Sequence, residues 1–249
     1  MILEEKMCGW NRRLAISNLT NKGTQKKHEI LDAASRLIKI HGYEGMTLRM
    51  LADEAGISRG HLGHYFKEKK EILFSLLDAT VTYVCKNSKA LCKEDRDPFT
   101  TYAFSVSWFC IVCAELKDVG KNMFQSIRYF DIQRSFSRLF AERIWEYIGE
   151  DMTGCPYDLF EKRVEMAFAA EFTGIADYTI EDFGQNEAKK FSEINIRVLL
   201  MLMDVGSERT EFVIRRTKEH LEKATPDIMF NDFNKSYKLF ALDADSSNP

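Results

Sequence analysis

Leu48–Phe66 reads LRMLADEAGISRGHLGHYF, and this stretch decides the fold. Thr47 is suited to cap a short helix ending at Glu54, Ala55-Gly56-Ile57 forms a tight turn, and Ser58 caps a further helix reaching Phe66. Two short helices joined by three or four residues cross steeply, and the turn dictates what can stand where. Ala52 must be small, because the following helix packs over it, and Gly56 supplies the positive φ that the turn requires. Leu51, Ala55, Ile57, Leu62 and Tyr65 are the expected apolar contacts between the two helices. The other face of the second helix shows Arg59, Gly60, His61, Gly63 and His64. Hydrogen-bond donors interleaved with glycines let a helix come close to a nucleic-acid groove.

Upstream, Ile30, Leu31, Ala34, Leu37 and Ile38 recur at helical spacing after Thr24, and His41-Gly42 ends that run. Residues 1–23 show no strong period and read as an arm with a short helix near Arg12–Leu19, where Arg12 and Arg13 fit a packing tail better than a minor-groove arm. Downstream, the charged junction Lys67–Lys70 leads into a long helix over 69–94. Helical periodicity continues near 98–117, 119–132, 134–149, 158–181, 186–205, 208–223 and 227–240, punctuated by Pro98, Pro156 and Pro226. An all-α chain is expected, with an arm (1–23), a helix-turn-helix domain (24–70), a helical ligand and dimer domain (71–242) and a disordered tail (243–249).

Composition supports this division. Only four prolines and 13 glycines occur in 249 residues, which favours long helices over a many-stranded architecture. The net charge of −3 hides an asymmetry: from Lys22 to Ile72 there are ten Lys/Arg and seven Asp/Glu, and four of the five histidines also fall there. A mildly basic module on an acidic body points to phosphate contact at one end only. The longest uncharged stretch, Pro98–Ala114, carries Thr100, Thr101, Ser105 and Ser107 and is too short to span a bilayer, so a buried core helix is expected there. With no signal-like segment, the chain reads as soluble and cytoplasmic, without a membrane partner. The six cysteines then read as reduced core residues, including the Cys110-x-x-Cys113 pair. No Ser/His/Asp or Cys/His set, phosphate loop or metal cluster is present, so neither an enzyme nor a cofactor is expected.

Residues 24–77 resemble the DNA-binding domain of the TetR (tetracycline-repressor-like) family, through ILDAASRLIKIHGYEGMTLRMLADEAGISRG, then HYF, then KEKKEIL. The resemblance implies a three-helix DNA-binding module, a helical ligand and dimer domain, and a homodimer on a palindromic operator of double-stranded DNA. Position by position it places Arg59, Gly60 and His64 at base edges and Thr47, Tyr65 and Lys69 at backbone phosphates. Arg49, Ser58 and His61 complete the candidate DNA-contacting set. One departure stands out: Gly63 replaces an aromatic residue, most often Tyr in the family. A family contact is thereby lost, and glycine weakens the helix by about 1 kcal/mol relative to alanine.

Phe99–Phe183 holds 18 of the 30 aromatic residues. Tyr102, Phe104, Trp108, Phe109, Phe124, Tyr129, Phe130, Phe168 and Phe172 are candidates to line an apolar ligand cavity, an aromatic-rich solid core being the alternative. For dimerisation, the small face of Ala169, Ala170, Thr173 and Gly174 and the stripe of Ile196, Leu199, Leu200 and Met203 are expected to build a four-helix bundle with a second copy. The functional expectation is a ligand-responsive regulator, a repressor by default. The competing reading is a DNA-binding dimer with no small-molecule inducer.

Overall fold

The structure, a computed structural model, describes residues 21–115, 130–175 and 182–224. The expected arm, the helix at 119–132 up to Tyr129, the last turns of 158–181, the helix at 227–240 and the tail lie outside the described residues. Those described form nine α-helices and no strand: α1 (Asn21–Gly45), α2 (Leu48–Glu54), α3 (Arg59–Tyr65), α4 (Lys69–Leu91), α5 (Pro98–Glu115), α6 (Phe130–Ile148), α7 (Tyr157–Ile175), α8 (Gln185–Leu202) and α9 (Ser207–Lys223). The all-α expectation holds. The chain divides into two compact units, residues 1–76 and 77–249, with the boundary inside α4.

In the first unit, Ile30, Ala33, Ala34 and Leu37 of α1 are buried with Leu51 and Ala52 of α2, Leu62 of α3 and Phe66. α1 does not stop at Gly42. That glycine leaves helical geometry (φ 71°, ψ 165°) and the chain resumes for one more turn to Gly45. The expected stop signal is therefore a kink.

In the second unit α5 is the axis. Every residue from Pro98 to Ala114 is buried, because α8, α9 and α6 all pack on it. This is the physical reason for its lack of charge: a helix surrounded on all sides has no solvated face on which a charge could sit. α7 packs between α6 and α8. The expected break near 132–134 does not occur, and α6 runs unbroken from Phe130 through Ile132 and Arg134 to Ile148. With neither proline nor glycine there, nothing in the chain stops the helix. α8 ends where Asp204 takes a left-handed conformation (φ 57°). Val205 N–H donates to Leu200 (2.9 Å) and Asp204 N–H to Met201 (3.0 Å), satisfying the helix's last carbonyls.

Candidate nucleic-acid interface

The turn between α2 and α3 is built by backbone hydrogen bonds. Ile57 N–H donates to Ala52 carbonyl (2.9 Å) and Gly56 N–H to Asp53 carbonyl (3.1 Å), closing α2 with a glycine at φ 63°. A side chain at Gly56 would meet nothing within 4 Å, so the requirement there comes from the backbone and not from crowding. Both helices are capped at their starts. Thr47 Oγ1 accepts from Met50 N–H (3.2 Å) and Ser58 Oγ from His61 N–H (3.1 Å).

These constraints fix which way α3 faces. Leu62 is 1% exposed and pins the helix to the core with Leu51, Ala52 and Phe66. Arg59, Gly60, His61, Gly63 and His64 are exposed, and Tyr65 is half-buried. Ala55 and Ile57, expected as inner contacts, are half-buried. The His61 ring lies 6.3 Å from that of His64 and 5.6 Å from that of Tyr65, so the three form one polar aromatic ridge. Arg59 and Arg49 are exposed and make no ion pair with a described residue. Among the described residues nothing neutralises either guanidinium, which leaves both suited to an external anion.

Lys69 is placed differently from a free phosphate ligand. Its ammonium donates to the carbonyls of Tyr43 (2.9 Å) and Glu44 (3.2 Å) and lies 4.4 Å from the Tyr43 ring centroid. It therefore satisfies the last carbonyls of α1, a structural role that its sequence position did not reveal. Lys26 similarly reaches Ala55 carbonyl (3.4 Å) and Glu29 (2.9 Å). The space at Gly63 is open: a Cβ at this position would meet nothing within 4 Å, so packing does not demand a glycine there.

In the second unit Tyr102, Phe104 and Trp108 are 0% exposed, Phe168 1%, Phe172 4% and Phe109 5%. Their rings pack edge-on or tilted against one another and their neighbours: Phe168 lies 5.0 Å from Phe140 and 5.4 Å from Phe172, and Trp108 5.7 Å from Phe104. Phe124 and Tyr129 lie outside the described residues, and of Phe130 only the backbone is described. Tyr102 also joins a buried polar chain that the sequence did not signal. Its hydroxyl donates to Asn195 (2.7 Å), whose amide donates to Glu171 (2.8 Å), and the Cys110 thiol donates to the same carboxylate (2.8 Å). Burial pushes the Glu171 carboxyl up to about 7 and the Cys113 thiol up to about 12, where the thiolate is strongly disfavoured.

Of the residues expected at a dimer face, Ile196, Leu199 and Leu200 are buried within their own chain. A side chain at Gly174 would collide with the Phe191 ring, so this glycine lets α8 approach α7. Met203 packs its sulfur on Arg163 (3.1 Å). Ala169 and Thr173 are exposed and Ala170 is half-buried. Among the described residues no helix is long and apolar enough to cross a membrane.

Capped short helices, a glycine turn and a polar second helix held by one buried leucine define a helix-turn-helix domain. Residues 30–76 match the family model described as bacterial regulatory proteins, tetR family. The likeness to this family is carried by the helix-turn-helix domain. The transcriptional repressor AcnR of Corynebacterium glutamicum is 41% identical over 56 residues, 22% of this chain and 30% of AcnR. The uncharacterized transcriptional regulator YxaF of Bacillus subtilis is 33% identical over 79 residues, 32% of this chain and 39% of YxaF. The matched segment thus spans well under half the length of these curated relatives. Among solved structures, FadR of Bacillus subtilis in complex with stearoyl-CoA superposes with a TM-score of 0.42 at 19% identity, covering 72% of this chain and 98% of that one.

Proposed function

We propose that the protein is a ligand-responsive transcriptional regulator that represses by binding a palindromic operator as a homodimer. The observation that carries this reading is the solvent face of α3. There an exposed Arg59, with no ion pair to a described residue, stands beside His61 and His64 on a helix whose opposite side is fixed by the buried Leu62. Such a helix offers donors to base edges in the major groove. Thr47, Ser58, Gly60 and Tyr65 flank it, and Arg49 adds an exposed cation on α2. The repressor names of the relatives favour repression, and a role on DNA supports a cytoplasmic reading.

A two-fold dimer would set two such helices one DNA turn apart, roughly 34–36 Å. A ligand that favours another spacing would release the operator, a coupling of about 1–3 kcal/mol being enough for a 5- to 150-fold change in affinity. The test begins with sequencing the DNA fragments that the purified protein retains, followed by titration of that site. Arg59→Ala and His64→Ala should each cost about 1–3 kcal/mol of binding and relax base preference at one position. Unchanged affinity and preference in both variants would remove α3 as the reading helix.

A further inference from the structure

Between α5, α8 and α9 the second unit holds a cavity of about 380 Å³, within the span of small-molecule sites, roughly 300–1,000 Å³. None of the six described aromatic candidates borders it. Ile111, Ile196, Ile214 and Leu221 give it a branched aliphatic floor. Two hydroxyls stand over that floor. Ser192 donates its proton to the Lys189 carbonyl (3.1 Å) and Thr217 to the Val213 carbonyl (2.8 Å), so each has only acceptor lone pairs left for a guest.

The charges at the mouth are unequal in their commitments. Glu193 is neutralised by Lys218 (3.2 Å) and Arg197 (2.8 Å). Lys189 on α8 and Glu222 on α9 are exposed and make no ion pair with a described residue. One wall therefore presents a spare cation and the other a spare carboxylate, above a hydrocarbon floor.

We propose that this groove binds a zwitterion with an apolar side chain, a molecule of the leucine or phenylalanine class. Its carboxylate meets the Lys189 ammonium. Its ammonium faces Glu222 and the lone pairs of Ser192 and Thr217, and its side chain covers the aliphatic floor. A plain carboxylate would be complementary to Lys189 alone and a plain amine to Glu222 and the hydroxyls alone, so each forgoes part of the charge complementarity of the groove. Control of DNA release by this guest rests on the regulator reading above, whereas the binding itself does not.

Calorimetry on the full chain without DNA tests the site, with L-leucine and L-phenylalanine as probes. Two half-charged analogues are compared: 3-phenylpropanoate, which lacks the ammonium, and phenylethylamine, which lacks the carboxylate. At least one amino acid should bind saturably, and both analogues should bind at least about tenfold more weakly. Lys189→Ala and Glu222→Ala should each lose about tenfold in amino-acid affinity, with probe-free melting unchanged because both side chains are exposed. No saturable binding of either amino acid, equal binding of an analogue, or full affinity in both variants would overturn the proposal. Arg59→Ala should bind the amino acid as the parent protein does, so a failure of the DNA reading and a failure of this site are told apart.

Discussion

Glu171 sits on α7 with 1% of its surface exposed, accepting from the Cys110 thiol and the Asn195 amide. Burial raises its carboxyl to about 7 from an ordinary 4.5. The folded protein therefore holds a proton there that the unfolded chain has released between those two values. Its contribution to stability is fully present below the ordinary value and is lost as pH rises through about 7. The shift corresponds to about 3 kcal/mol. Glu171→Gln keeps the shape and removes the charge, so denaturant unfolding at pH 8 should show a variant more stable than the parent by about 1–3 kcal/mol. The two should converge near pH 5, and parallel pH profiles would show that Glu171 is not the titrating group. That Asn195, 24 positions away, would turn its amide to it is a product of how α7 and α8 pack.

The elements themselves were largely readable, since capping and turn chemistry act over three or four residues. Thr47, Gly56 and Ser58 locate α2, the turn and α3 because each satisfies or redirects backbone groups beside it. What periodicity did not give was how α9 is fastened. The corner between α4 and α5 supplies two carboxylates to it. Asp95 accepts from Arg216 (2.9 and 3.2 Å) and from His220, and Asp97 accepts from Arg209 (2.6 Å). Burial opposes ionisation of Asp95, yet the hydrogen bonds from Arg216 and His220 outweigh it and hold the carboxyl below its usual value. The sign is thus opposite to that of Glu171: this contribution is present above the ordinary carboxylate range and fades as pH falls. Asp95→Ala should cost about 2 kcal/mol at neutral pH by leaving the buried His220 without its acceptor. The parent-to-variant gap should narrow in acid. Denaturant melts at pH 7 and pH 4 check both, and a gap that widens in acid would overturn the assignment.

At the scale of the whole molecule, the surface that a second copy would cover is a matter of which apolar side chains stay outside. Met166 on α7 is 56% exposed and Met201 on α8 is 69% exposed, with Ala169 and Thr173 exposed on the same face as Met166. Large apolar side chains left in water on two adjacent helices favour association through that face. Met166→Glu with Met201→Glu should weaken self-association at least about tenfold, by placing like charges in a dehydrated contact. Sedimentation velocity over a concentration series reads this, and operator affinity should fall with it. A double variant that sediments as the parent does would move the dimer face elsewhere. The sequence stripe of Ile196, Leu199 and Leu200 lies on the inner side of α8, buried within its own chain. An apolar stripe records burial without recording which neighbour provides it.

By itself the sequence determined most of the described helices, the turn geometry of the helix-turn-helix and the polar face of α3, because each depends on residues within one or two turns of one another. Only the tertiary structure decided that the described aromatic side chains of the second unit pack into a core, that Lys69 is bound to the end of α1, and that a cavity lies between α5, α8 and α9. Those outcomes depend on the rotation and spacing of helices distant in the chain, which pattern and propensity leave free.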